Sequence, residues 1–173
     1  MKGEKIYTIG HSTRSIKEFI GILKKNGISE LIDIRTLPGS RFNPQFNAGN
    51  LRRSLKKEDI GYIWIKELGG LRKGLGKKSP NKCWKNKSFR GYADYMMTND
   101  FKAGVEKLIK ESKHMRVVIM CAESVYWRCH RMLIADYLKA KGFSVYHIMS
   151  MNKKTLHKYS ECAKVKRQKL TYI

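Results

Sequence analysis

A chain of 173 residues with 37 Lys plus Arg against 14 Asp plus Glu, net charge +23, is long enough to bury a full apolar core, so neither a disulfide framework nor a structural metal is needed to hold it. No run approaches the length of a membrane span and the first residues lack the apolar stretch of a signal peptide, so a soluble cytoplasmic protein with no membrane partner is expected. The charge says nothing about fold but points to a polyanionic partner, nucleic acid first, and Glu is not raised alongside Lys as an ion-pair surface would require.

Residues 5–9 are a short β-rich run closed by Gly10-His11-Ser12, and Ser15 with Glu18 supplies a capping box for the helix that follows. Ile16, Phe19, Ile20 and Leu23 recur at helical spacing, and Gly27 sits where a left-handed cap ends it. Residues 31–35 read as a second strand, broken by Pro38-Gly39; 51–57 as a basic surface helix; 62–65 as a third strand ending at Leu68-Gly69-Gly70. From Arg72 to Arg90 stand eight Lys or Arg and no acid, with glycines and Trp84 among them, the composition of a long basic loop. Residues 89–97 and 100–110 are two helices, the second with Phe101, Val105, Leu108 and Ile109 as its buried stripe. Residues 116–120 form a fourth strand and 128–141 a helix with Leu133, Ile134, Tyr137 and Leu138 inward. Residues 143–148 form a fifth strand. The chain divides into one domain over 1–150 and a basic C-terminal extension over 151–173.

Strands alternating with helices through short connections predict an α/β fold: an open, mostly parallel sheet of about five strands with helices on both faces, in a single domain. The C-terminal strand ends of such a sheet share one edge. That edge would gather His11 and Ser12, Arg35 and Ser40, Gly69-Gly70, and the cluster from Cys121 to Arg131, with His147 as a further candidate.

The cluster carries most of the chemistry. Cys121 ends an apolar strand near Arg128 and Arg131, a setting that favours a thiolate, although a small buried hydrophobe is the competing reading. Glu123 suits a general acid or base or an ion-pair partner, and His11 a proton-transfer group, against the plainer roles of helix-terminal acid and core histidine. Cys121, Glu123 and His11 are therefore the catalytic candidates. Arg35, Arg128 and Arg131, with Ser12, Ser40 and Arg41, form the candidate anion site, since bidentate guanidiniums and helix N–H groups suit phosphate or carboxylate. Arg72, Lys73, Lys77, Lys78, Trp84 and Lys85 interleave charge with an aromatic ring, as single-strand contacts do. Six residues separate Cys121 from Arg128, one more than thiol phosphatases use, which disfavours that mechanism. Cys121, Cys129, His130 and His11 lack a chelating spacing, so no metal ligands are assigned; a reversible Cys121–Cys129 disulfide remains geometrically open. No motif names a cofactor. The four cysteines form no regular framework, and a reducing compartment is the simplest setting.

Thr8-Ile9-Gly10-His11-Ser12, Asp33-Ile34-Arg35 with Pro38 and Ser40, Leu68-Gly69-Gly70, and Cys121-Ala122-Glu123 followed by Cys129-His130-Arg131 resemble the domain-of-unknown-function 488 family, in order, from about Thr8 to Ile148. The resemblance implies a fold and a shared site but no reaction. The leading expectation is an enzyme acting on a phosphate-bearing substrate, nucleic acid or a nucleotide. The alternatives are a non-catalytic nucleic-acid-binding protein and a metal- or redox-linked Cys/His site.

Overall fold

Alternation along the central strands decides which helices cover which side of the sheet. In the computed structural model, which describes residues 4–173, β1 (Lys5–Gly10), β2 (Glu30–Asp33), β3 (Gly61–Trp64), β4 (Val117–Cys121) and β5 (Ser144–Ser150) run parallel. A sixth strand, β6 (Lys153–Leu156), pairs antiparallel with β5, giving the order β3-β2-β4-β1-β5-β6. Tyr7, Ile9, Leu31, Val118 and Met120 pack with Phe19, Ile22 and Leu23 of α1 (Ile16–Lys25) and with Leu51 and Leu55 of α2 (Ala48–Lys56). Ile6, Ile32, Val117, Ile119 and Cys121 pack instead with α3 (Lys87–Tyr95), α4 (Asn99–Ser112) and α5 (Arg131–Ala140), through Tyr92, Phe101, Val105, Leu108, Leu133, Ile134 and Leu138. Each such side chain contributes about 1.5–3 kcal/mol on burial. The outcome is a single α/β domain with a mostly parallel sheet and helices on both faces, one strand larger than expected.

Local signals hold at the helix ends. Ser15 Oγ accepts from Glu18 N–H at 3.1 Å and opens α1, and Gly27 takes φ 65 just past its end. Gly10 is fixed by close approach, because a Cβ there would stand 1.8 Å from the Glu123 carbonyl oxygen. The helix expected from 128 starts later. Tyr126–Arg128 is a short 3-10 turn, Cys129 is extended (φ −131, ψ 148), and only Arg131 begins α5, so Cys129 and His130 are not helical neighbours.

The boundary drawn at residue 150 falls at the turn from β5 into β6, and the segment beyond it is folded onto the domain. β7 (Lys164–Lys166) and β8 (Lys169–Thr171) form a hairpin, turned by Arg167 and Gln168 at φ 49 and 61. One expectation about cysteine is corrected here: Cys83 and Cys162, 79 residues apart, form a disulfide that ties the basic loop to this segment. Sequence spacing shows no such pair because the two meet only through tertiary packing.

Beneath the hairpin lies a buried polar chain. Thr8 Oγ1 contacts His147 Nδ1 at 2.7 Å, His147 Nε2 contacts His157 Nδ1 at 2.9 Å, and His157 Nε2 reaches Asp136 Oδ1 at 2.9 Å. Donors running one way from Thr8 to Asp136 satisfy every atom. His147 is therefore a core residue, not a member of the strand-end site, and burial, with His157 and Arg131 nearby, pushes its pKa from 6.5 down to about 2. With the folded value below the unfolded one, the unfolded chain takes up the proton first as pH falls. Stability present above pH 6.5 is then lost progressively below it, at up to about 1.4 kcal/mol per pH unit. Urea midpoints should fall steadily from pH 6.5 to 4.5, with a shallower slope in His147→Gln. Among the described residues no helix is long and apolar enough to cross a membrane.

Candidate functional site

Because β1, β2 and β4 are parallel neighbours, their C-terminal ends converge, and the loops leaving them enclose two adjoining depressions. The larger, a cleft of about 390 Å³, is lined by Arg35, Leu37, Gly70, Leu71, Phe89, Tyr92, Cys121, Glu123, Arg128, Cys129 and His130. The smaller and more polar one is lined by His11, Ser12, Thr13, Ser40, Asn43 and Ser124, and shares Ala122 and Glu123 with the first. Arg35, Cys121, Glu123, Arg128, His11, Ser12 and Ser40 thus lie along one edge, divided between two compartments, while Arg131 lines neither.

Period two in β4 sets the cleft floor. Cys121 shares a face with Val117 and Ile119 and so points toward α5, where the extended Cys129 places its own thiol, Sγ to Sγ 2.7 Å. Cys129 Sγ also accepts from Arg131 N–H at 3.4 Å and lies 3.5 Å from His130 Nδ1. Burial alone would raise Cys129, but the Cys121 hydrogen bond, His130 and Arg131 outweigh it and hold this thiol well below its usual range. Burial and the adjacent Cys129 push Cys121 up. The expectation of a depressed Cys121 is corrected: burial and the hydrogen-bonded Cys129 outweigh the lowering effect of Arg131 at this thiol.

His11 is buried, stacks on Phe46 with ring centroids 4.3 Å apart, and its Nδ1 contacts the Ser12 carbonyl at 2.8 Å. That fixes Nδ1 as donor and leaves Nε2 as acceptor, 3.5 Å from Arg35 Nη1. Burial lowers the His11 pKa, and the Arg35 and Arg131 cations lower it further, against the raising effects of the Ser12 hydrogen bond and Asp33. It adds to the acid-side loss of stability described above.

Two of the three main arginines are structural. Arg35 donates Nε and Nη2 to Asp33 at 2.9 and 2.6 Å and Nη2 to the Phe46 carbonyl at 2.8 Å, leaving Nη1, whose one contact is His11 Nε2 at 3.5 Å, as its least engaged end. Arg131, 1% exposed, donates to the Glu123 carbonyl at 2.6 Å and holds the β4–α5 loop in place. Arg128 is exposed on the cleft wall, as is Glu123, and neither forms an ion pair among the described residues. Ser12 N–H donates to the Ala122 carbonyl at 3.0 Å, and Ser40 Oγ accepts from Asn43 N–H at 3.0 Å. Arg41 is exposed outside both compartments.

The basic loop needs a second correction. Trp84 is 6% exposed and packs edge-on against Phe89 and Tyr172, so it is core rather than a stacking platform. Arg72 donates to the Gly69 and Lys66 carbonyls and covers the Tyr95 ring at 3.9 Å. Lys73, Lys77, Lys78 and Lys85 remain exposed. The loop is ordered because the buried Asp94 accepts from Leu75 N–H, Ser79 Oγ and Asn81 Nδ2 at 2.8, 2.5 and 2.8 Å. Sequence reading missed the cleft walls. Leu37 and Leu71, 75% and 78% exposed, signal themselves only as apolar residues beside Pro38 and Gly70, without periodicity.

A family model described as "Domain of unknown function DUF488" matches residues 15–138. The match takes in β2, β4 and the Cys121–Arg131 loop but stops short of the Thr8–Ser12 motif and of β5. No curated protein and no solved structure matches the chain.

Proposed function

The chain belongs to the family of domain of unknown function DUF488, a membership that assigns no reaction, and we propose from the site that it is an enzyme acting on a phosphate-bearing substrate, a nucleotide or a nucleotide unit of nucleic acid. One observation carries this reading: the exposed Arg128 stands on a cleft whose other walls, Leu37, Leu71 and Phe89, are apolar. Apolar walls with a few placed polar groups are the usual make-up of a small-molecule site, and about 390 Å³ falls in its usual size range. A base would lie against the apolar walls and a phosphate on Arg128, with Arg35 Nη1 as a second donor. Glu123, common to both compartments, is the acid–base candidate; His11 positions Arg35 from the polar side. The exposed Lys73, Lys77, Lys78 and Lys85 favour a second reading, nucleic-acid binding without catalysis.

Binding of a labelled single-stranded oligonucleotide and of a mononucleotide, measured across a salt series, tests the proposal. Arg128→Ala should weaken both by roughly 10–100-fold, the worth of a charge-assisted hydrogen bond, while Glu123→Gln should keep binding and stop turnover. If replacing the four lysines abolishes binding while Arg128→Ala changes nothing, and no substrate is turned over, the second reading replaces the first.

A further inference from the structure

The paired thiols are a separate feature, independent of whether the cleft's ligand carries phosphate. Cys121 and Cys129 are 3% and 6% exposed, yet both line the cleft, and their sulfurs stand 2.7 Å apart, close to the S–S bond length of about 2.05 Å. The two are held from opposite sides. Cys121 is the last residue of a fully buried strand, whereas Cys129 sits between a 3-10 turn and α5. The remaining cysteines, Cys83 and Cys162, are already bonded to each other. So this pair is the one dithiol among the described residues.

We propose that Cys129 and Cys121 form a redox-active dithiol that exchanges with a low-molecular-weight disulfide entering the cleft. Cys129 is the attacking thiol, since its sulfur faces the Arg131 amide and His130 at the mouth of α5. It attacks one sulfur of the disulfide, whose S–S bond breaks, and the first small thiolate leaves. Cys121, deprotonated, then attacks Cys129 Sγ and breaks the mixed disulfide, releasing the second small thiolate. The two protein thiols are oxidised to a Cys121–Cys129 disulfide, the small disulfide is reduced to two thiols, and the two protons from the cysteines end on those products. The closed form ties β4 to the start of α5 and so fixes the loop that carries Glu123 and Arg128.

Full-length protein equilibrated with reduced and oxidised glutathione in varying ratio, then alkylated and mapped by mass spectrometry, tests this directly. The wild type should pass through a single two-electron transition in which Cys121 and Cys129 lose alkylation together. Cys121→Ser should accumulate glutathione on Cys129 at least about tenfold more than Cys129→Ser accumulates it on Cys121. Cysteines that stay fully alkylated in the native wild type at every ratio overturn the proposal, whatever the variants do. Mixed disulfide found mainly on Cys121 overturns the assignment of the attacking thiol.

Discussion

Replacing Asp136 with Ala is expected to cost about 3–5 kcal/mol of folding stability and to loosen the C-terminal segment before the rest of the domain. Asp136 lies on α5 with no exposure, and its carboxylate is the shared acceptor for three residues of the tail. Oδ1 accepts from His157 Nε2 and Ser160 N–H, both at 2.9 Å; Oδ2 accepts from Ser160 Oγ at 2.6 Å and Tyr172 OH at 2.9 Å. Truncation leaves the buried His157 and Tyr172 donors without the acceptor they share, and each stranded group costs about 1–3 kcal/mol. The damage also reaches toward the cleft, because Tyr126, just before Arg128, stacks on His147 with ring centroids 3.6 Å apart. Denaturant midpoints should record the loss. Amide exchange should rise first in residues 153–172, and Asp136→Asn, which keeps one acceptor oxygen, should lose about half as much or less.

Asp33→Ala is expected to cost a similar amount, about 3–5 kcal/mol, for a different reason. Asp33 is fully buried and neutralises Arg35, itself 5% exposed, through a two-pronged contact; it also accepts from Tyr62 OH at 2.6 Å. Burial, and the nearby Asp33 carboxylate, push the Tyr62 hydroxyl well above its ordinary range. Removing the carboxylate leaves a buried cation with the Phe46 carbonyl as its main remaining partner. Replacing both members removes the uncompensated charge, so Asp33→Ala combined with Arg35→Met should recover much of the loss. Urea unfolding of the two single variants and the pair measures the coupling directly.

These two predictions also mark where sequence reading succeeds and stops. The strands of β1, β2 and β4 are legible because their apolar runs are short and bounded by polar or glycine residues, and α1 because its cap and spacing agree. The strand-end site follows from parallel order alone, which brings His11, Arg35 and Cys121 to one edge. What the residue types leave open is who partners whom. Arg35 and Arg131 look like ligands for an anion until Asp33 and the Glu123 carbonyl are seen to hold them. Trp84 looks like a stacking surface until Tyr172, 88 positions away in sequence, covers it. The tail reads as a charged extension because its Lys residues are exposed. Its few buried members, His157, Cys162 and Tyr172, show no period that sequence can display.

The cleft that remains after this sorting is simpler than an arginine-rich pocket: two thiols at the floor, apolar walls, one free guanidinium and one free carboxylate at the rim. Backbone amide shifts recorded while a mononucleotide is added to the full-length protein test its role most directly. Saturable shifts concentrated at Ala122, Glu123, Arg128 and Gly70 are expected, with smaller ones at His11 and Ser12, and their loss in Arg128→Ala. Shifts confined to the lysines of residues 73–85, or none at saturating ligand, would contradict it.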